Sequence, residues 1–412
     1  MEKPVLIFVE PQPRTLGKLR LALMKSRPDW QVLAVADATA ALDYLKQRKI
    51  SLVMANFGDD VKACEEFFCQ VRDWSPQIVR VGLLPESLTG AAASSSRYAH
   101  DYICETSAIE PIERVLERGL AIWAGSEKNP RLGQLLSNLE ILPTPPMLYF
   151  DIRDSLESPQ GSLQGIADLI GRDPAITARI LKAANSGFYG SPGTVADLTK
   201  AINLLGMDLV LALVLSLHLY DQLPLPGVNL DALWNHNMAV SLVARELVLQ
   251  HGGDRATATI ASIAGLLHDM GQLVFLANSA QNYYPIIRQA ASDESLLLQM
   301  EEAEFGVGHA ELSAHILSLW GLPDEVVEAV RDHHLPSSLN SANVPLPTRA
   351  VAVAEWLLQA HQLGTAEGDS DIAQLQLPAT VAMLTVGRQV LRQLVELGAI
   401  PNPGNSFEAL PA

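Results

Sequence analysis

Cysteine is scarce in this chain of 412 residues, which holds only Cys64, Cys69 and Cys104. An odd, small number argues against a disulfide framework and for a reducing compartment. None of the three has zinc-knuckle spacing. Basic charge is also short: 29 Lys and Arg against 46 Asp and Glu leave a formal charge of −17. A field of that sign repels phosphate backbones, so nucleic acid is not expected as a direct partner. Long apolar runs are missing as well. The stretch Leu209 to Leu217, bounded by Asp208 and His218, falls short of the roughly 20 residues a spanning helix needs and reads as a buried helix. The first apolar run stops at Glu10-Pro11, too soon for a signal peptide. A cytoplasmic protein without a membrane partner is expected.

Residues 1–124 alternate short apolar runs with amphipathic segments. Strands are expected at Val5 to Val9, Gln31 to Val35, Leu52 to Ala55, Ile78 to Leu84 and Tyr102 to Cys104. Helices are expected at Leu16 to Met24, Ala38 to Gln47, Val61 to Trp74 and Glu110 to Trp123. Strands separated by helices of this length imply right-handed crossovers and a parallel sheet covered on both faces. Residues 125–140 are polar and hold a helix breaker at Pro130, so the linker is placed there. Beyond it helical periodicity dominates to about residue 398, with no strand-like alternation and no internal repeat. Residues 341–400 are read as C-terminal helices packed on the preceding bundle, with Pro378 starting the last long one, and 401–412 as a loose tail.

The βα pattern over residues 3–123 resembles the response-regulator receiver domain, a flavodoxin-like (βα)5 fold. That resemblance implies Mg²⁺-holding acids after the first strand, a phosphoryl-accepting Asp after the third, a hydroxyl after the fourth and a Lys after the fifth. The chain departs at nearly every position. Strand one keeps a single acid, Glu10, and Asn56 stands where the acceptor would be. Strand four ends Gly82-Leu83-Leu84 and strand five leads to Glu105. Asp59 and Asp60 fall beyond the third strand. An amide is not a carboxylate nucleophile and forms no acyl phosphate. The resemblance therefore implies a pseudo-receiver used for docking other signalling proteins or for self-association. An unrelated flavodoxin-like domain fits the same pattern.

Residues 141–340 are punctuated helix by helix. Ser162 reads as an N-cap, Gly171 as a stop, and Asp173-Pro174 as a cap followed by proline in the first turn. The segment Asp173-Pro-Ala-Ile-Thr-Ala-Arg-Ile-Leu-Lys-Ala-Ala-Asn-Ser-Gly-Phe-Tyr-Gly190, with Ala201-Ile-Asn-Leu-Leu-Gly206 and Leu142-Pro143-Thr144-Pro145-Pro146, is similar to HDOD domains. These are bacterial signalling domains related to HD-type phosphohydrolases. The likeness covers about residues 135–360 and implies an all-α, HD-related bundle. Asn185, in the loop after that helix, reads as its cap, with a functional loop role as the alternative.

The candidate chemistry lies in His236, the pair His268-Asp269 within Gly265-Leu-Leu-His-Asp-Met-Gly271, His309, and the pair His333-His334. HD hydrolases set such residues on separate helices of one bundle, ending in an Asp; here the counterpart is Glu355, one methylene longer. Imidazole and carboxylate suit a divalent transition metal such as iron or manganese, and a carboxylate can bridge two ions. His315 lies near the cluster. His100, His218 and His251 read as core, cap or surface residues, and His361 as exposed. Two features depart from the hydrolases. Gln272 stands where they often carry Lys, and Leu335-Pro336-Ser337 follows His334 where the cyclic-di-GMP phosphodiesterase branch carries Gly-Tyr-Pro. Two readings of the histidines stay open: a metal site, or imidazoles paired with carboxylates and carbonyls inside a helical core. The expected function is a non-enzymatic signalling protein. The alternatives are a metal-dependent phosphohydrolase on a nucleotide or cyclic nucleotide, and a nucleotide-binding sensor without turnover.

Overall fold

The computed structural model describes residues 3–58, 60–75, 78–85, 99, 101–104, 109–139, 143, 145–158, 161–185, 194–223, 229–290, 293–334, 343–362 and 378–396. Asp59, His100, Glu105, residues 335–337, the loop at 186–193 and the tail at 401–412 lie outside them. The chain divides into two compact units. One comprises Met1–Thr144 with Phe305–Val307 and Leu319–Gly321; the other comprises Pro145–Glu304, Gly308–Ser318 and Leu322–Ala412.

The first unit is an α/β domain. Strands β1 (Val5–Val9), β2 (Gln31–Val35), β3 (Leu52–Asn56), β4 (Val79–Leu84) and β5 (Asp101–Cys104) form one parallel sheet in the order β2-β1-β3-β4-β5. The crossovers include α1 (Pro13–Ser26), α2 (Ala38–Gln47) and α3 (Val61–Trp74). A strand covered on both faces must be apolar throughout, and β3 and β4 are buried along their whole length. Phe67, Phe68 and Val71 of α3 pack with Ile7, Val9, Val53 and Ala55 on one face. Asp37 and Asp60 cap α2 and α3 by accepting from Ala40 N and Ala63 N.

The polar stretch 125–140, expected as a linker, is instead largely helical. Helix α4 (Ile109–Lys128) continues into it, and α5 (Pro130–Asn138) follows after one residue. Pro130 acts as a helix start here. Asn129 accepts from Arg131 N and Leu132 N, and proline at the first helical position loses no hydrogen bond.

At the carboxyl edge of the sheet, Glu10 and Asn56 are both buried and bound to each other. The Asn56 amide donates to Glu10 Oε2 at 2.7 Å, and Asn56 Oδ1 accepts from Gly58 N at 2.8 Å. Gln12 N donates to Glu10 Oε1 at 2.8 Å. Gly58 has φ +57°, which lets the backbone turn back under the amide.

The second unit is helical throughout its described residues. Helices α6 (Met147–Glu157), α7 (Leu163–Ile170), α8 (Pro174–Ala184), α9 (Leu198–Leu205) and α10 (Met207–Gln222) precede the long α11 (Leu230–Gln250). Ser162 and Asp173 cap α7 and α8 as expected. Next come α12 (Arg255–Leu267), α13 (Met270–Ala290), α14 (Glu294–Phe305), α15 (His309–Leu319) and α16 (Asp324–Arg331). The last two are α17 (Leu346–Gln362), packed on α11, α12 and α16, and α18 (Pro378–Glu396), packed on α17 and α11. The α11–α12 crossing is close because residue 265 is glycine: a Cβ there would meet Ser241 Cα at 2.9 Å. Ser241 and Ser262 share a hydrogen bond of 2.8 Å nearby. The run Arg255–Ala290 is long and apolar enough to cross a membrane by composition, but 83% of its most apolar window is buried inside the fold. It is core, broken at His268-Asp269. His361 on α17, expected as exposed, is buried: the helix face that carries it is turned into the bundle.

Asn56→Asp should destabilise the α/β unit, because it sets a second carboxylate against buried Glu10 and removes the amide donor. The expected loss is about 1–3 kcal/mol at neutral pH, read by chemical denaturation. Equal stability of the two proteins would contradict it.

Candidate metal centre

The site is built where several helices of the second unit meet. His236 sits in the second turn of α11, and His268 and Asp269 occupy the break between α12 and α13. His309 is the first residue of α15, His333 and His334 follow α16, and Glu355 comes from α17. The side chains converge on two overlapping groups that could hold a metal ion: His236, His268 and Asp269, and Asp269, His309, His333 and His334. Asp269 belongs to both. Its Oδ2 lies 3.2 Å from His268 Nε2 and 3.8 Å from His236 Nε2, while its Oδ1 lies 3.4 Å from His309 Nε2. Glu355 joins the first group, with Oε2 at 3.1 Å from His236 Nε2 and 3.2 Å from His268 Nε2. His309 and His334 approach through their Nε2 atoms at 2.7 Å.

The outer edges of the rings explain why the inner edges converge. His268 Nδ1 is 2.9 Å from Gly265 O, and His333 Nδ1 is 2.6 Å from Val330 O. His309 Nδ1 lies 2.8 Å from Glu301 Oε2, and His334 Nδ1 lies 3.2 Å from Glu294 Oε2. Carbonyls and carboxylates only accept, so each of these Nδ1 atoms donates and a neutral ring turns an Nε2 lone pair inward; the 2.7 Å contact between His309 and His334 needs a proton on one Nε2 when no ion lies between them. This is how metal-binding imidazoles are commonly oriented. Beyond those carboxylate–imidazole contacts, the buried inward atoms His268 Nε2, His333 Nε2 and Glu355 Oε2 have no hydrogen-bond partner. A cluster of desolvated acceptors is costly unless positive charge sits among them. The donor set, imidazole nitrogens with two carboxylates, fits a divalent transition ion such as iron or manganese.

Proton affinities carry the same message. Burial disfavours the charged imidazole of His236, but Glu355 and Asp269 outweigh it and raise the pKa. His268 rises well above the ordinary value, Asp269 and Glu355 overcoming burial. Burial also opposes the charged His309, which Glu301 and Asp269 nevertheless raise. His333 goes the other way: burial, then His334, His268 and His309, hold it well below the usual range. Burial favours a neutral Glu355, but His236 and His268 depress its pKa strongly. Without an ion, protons supply the positive charge; an ion would displace them, so its binding must strengthen as pH rises.

Gln272 neither enters the centre nor carries charge. Its Nε2 donates to Asp269 Oδ1 at 3.0 Å and steadies the shared carboxylate. Asn185 is away from the cluster. It ties the end of α8 to Val195, donating to Leu181 O and Val195 O and accepting from Val195 N, which is a capping role. Asn56 belongs to the first unit. Sequence reasoning passed over Glu301, Glu294 and Tyr283. Glu301 is wholly buried and also accepts from His309 N at 2.8 Å and Tyr283 O–H at 2.5 Å. The available signal was a cluster of acids just before His309, which reads by periodicity as a solvated face.

Gly271 completes the geometry. A Cβ on it would lie 2.2 Å from His309 O, so only glycine lets α13 pass α15 this closely. Ser313 bridges the contact, accepting from Gly271 N at 2.7 Å and donating to His309 O at 2.8 Å.

Residues 142–336 match the HDOD domain family, and this segment is an HDOD domain. An uncharacterized protein of Treponema pallidum (strain Nichols) is 26% identical over 200 residues, or 48% of this chain and 39% of that protein. The chain thus spans about two fifths of the length of the curated relative it matches. Among solved structures, a Shewanella amazonensis SB2B protein with a provisional phosphohydrolase name has 23% identity and a TM-score of 0.50, over 64% of this chain and 95% of that one. An HDOD domain protein of unknown function from Geobacter sulfurreducens has 22% identity and a TM-score of 0.49, over 66% and 95% of the two chains. The first of these likenesses shows the helical fold.

Two outcomes are expected. Gly271→Ala must push His309 away from Asp269, costing about 1–3 kcal/mol of stability in thermal or urea unfolding. The second concerns His315, whose pKa burial lowers to about 4. Its native form stays neutral while the unfolded chain takes up a proton, so the stabilisation is full above the unfolded pKa of 6.5 and is lost as pH falls toward 4. The loss attributable to it is up to about 3 kcal/mol. Buried His333, whose pKa is also held low, adds to the same decline, so the comparison is between the slopes with and without His315. His315→Gln should therefore flatten the decline between pH 6.5 and 4.5; an unchanged slope would contradict the assignment.

Proposed function

We propose that this chain is a regulatory protein of bacterial signal transduction whose HDOD domain holds a divalent transition ion, iron or manganese, without turning over a substrate. One observation carries the reading. His236, His268, Asp269, His309, His333, His334 and Glu355 bring their donor atoms together in the interior, with four rings backed by outward acceptors. His268, His309 and His333 are 0%, 0% and 3% exposed, which suits a closed, structural or sensing site better than one with an open coordination position. Gln272 adds no cation for a phosphoryl group. When bound, the ion supplies the positive charge that lets these acceptors share the interior, and so ties together the helices that bear them.

The N-terminal unit, in this reading, is a pseudo-receiver. The order β2-β1-β3-β4-β5 supports it, being one of the two common doubly wound orders. Its edge holds an amide, Asn56, at the acceptor position and binds it to Glu10, so that position itself offers no carboxylate to phosphate. Its role is docking to other signalling proteins or self-association, in the cytoplasm.

A second reading, a metal-dependent phosphohydrolase on a nucleotide or cyclic nucleotide, is favoured by one feature. Asp269 turns one oxygen toward each imidazole group, as a carboxylate bridging two ions would. A nucleotide-binding sensor without turnover stands between the two.

Protein purified without chelator should contain at least one equivalent of transition metal by elemental analysis, and His268→Ala should lose it. It should hydrolyse no member of a nucleotide and cyclic-nucleotide panel. Substoichiometric metal in the wild type would overturn the metal reading; hydrolysis abolished in His268→Ala would establish the second reading. Incubation with a small phosphodonor should leave the chain unmodified, and a labile phosphate adduct would refute the pseudo-receiver.

A further inference from the structure

Glu301 and Tyr283 form a charged support behind one ligand, Glu301 binding both His309 and the Tyr283 hydroxyl. Glu301 comes from α14 and Tyr283 from α13, and both are 0% exposed. Glu301 accepts from three donors: His309 N to Oε2 at 2.8 Å, His309 Nδ1 to both oxygens at 2.8 and 2.9 Å, and Tyr283 O–H to Oε1 at 2.5 Å. Three donors converging on one carboxyl favour its ionised form. His309 therefore stands apart from the other ligands. His268 and His333 lean on neutral carbonyls, and His334 leans on Glu294, whose side chain is 27% exposed. Of these four rings, His309 is the one with a wholly buried anion behind it. A charge-assisted bond in a dry interior is roughly twice as strong as a neutral one and pushes electron density toward Nε2.

We infer that Glu301 is a positioning residue that sets how tightly an ion is held by His309, His333, His334 and Asp269, and that the His236, His268, Asp269 and Glu355 group is indifferent to it. The inference rests on the metal reading above. The two groups then respond unequally to the loss of one buried carboxylate. Tyr283 holds that carboxylate in register, so that both oxygens face His309.

Cobalt(II) is the probe, titrated into full-length, metal-free protein against a competing chelator, with its visible bands as the readout. In a His236→Ala background, which leaves the His309 group, Glu301→Gln should weaken cobalt by about 10–100-fold and shift the bands. Glu301→Asp should restore part of that affinity, because the charge is kept. In a background with both His333→Ala and His334→Ala, which reduces the His309 group to His309 and Asp269 and keeps the His236 group whole, Glu301→Gln should change affinity by less than about twofold, the usual scatter of non-coupled sites. If Glu301→Gln fails to fold, Glu301→Asp carries the comparison in both backgrounds, with an intermediate weakening expected only in the first. Equal effects in the two backgrounds, or none in either, would overturn the inference. Failure of the wild-type protein to bind cobalt would instead remove the metal reading beneath it.

Discussion

Asp269 is shared. Its two oxygens face separate groups of imidazoles at 3.2 and 3.4 Å, and Gln272 steadies it from the next turn of the chain. Much of the second unit can be understood as the means of bringing those imidazoles to one carboxylate. The break between α12 and α13 exposes the pair His268-Asp269 to the interior. Gly265 lets α12 lie close on α11, which carries His236. Gly271 lets α13 lie close on α15, which carries His309. The Gly-Leu-Leu-His-Asp-Met-Gly segment is thus two close approaches on either side of one ligand pair. Neither glycine is needed for a left-handed turn; each is needed because a Cβ would strike backbone.

A buried gathering of lone pairs is unstable by itself, and the protein answers this from outside the cluster. Carbonyls at Gly265 and Val330 and carboxylates at Glu294 and Glu301 fix the ring orientations. The same arrangement separates the histidines electrostatically. His236, His268 and His309 are driven toward the protonated state by neighbouring carboxylates, while His333, surrounded by other imidazoles, is driven toward the neutral one. In a site with this division a bound cation would displace protons. The α/β unit shows the opposite treatment of a buried acid. Glu10 accepts hydrogen bonds from an amide and a backbone N–H.

Much of this was legible in the residues. The apolar runs place the five strands within a residue of their bounds, because a doubly covered sheet leaves nothing but apolar side chains to read. Ser162 and Asp173 announce helix starts through side chains that replace missing backbone partners. The histidines and Asp269 that the structure brings together stood out by type and spacing, and the HD resemblance added Glu355 as a further candidate. Other features were not. Asn129-Pro130 was read as a breaker, yet a capping amide with proline in the first turn begins a helix, and only the continuation of α4 to Lys128 distinguishes the two. His361 looked exposed because periodicity alone does not say which face of a late helix turns inward.

The sequence by itself determined the HDOD segment, the alternation of strand and helix before it, the sign of the charge, and the identities of the donors at the candidate centre. These are local properties: residue type, period and cap. Tertiary structure decided which donors meet. It set Glu355 beside His236 and His268, kept Asn185 away as a cap, and placed Glu301 behind His309 with no exposure to water. The reason is physical. A carboxylate's role depends on what surrounds it, and Glu301 in a row of acids is indistinguishable from its solvated neighbours until the packing of α13, α14 and α15 removes the water.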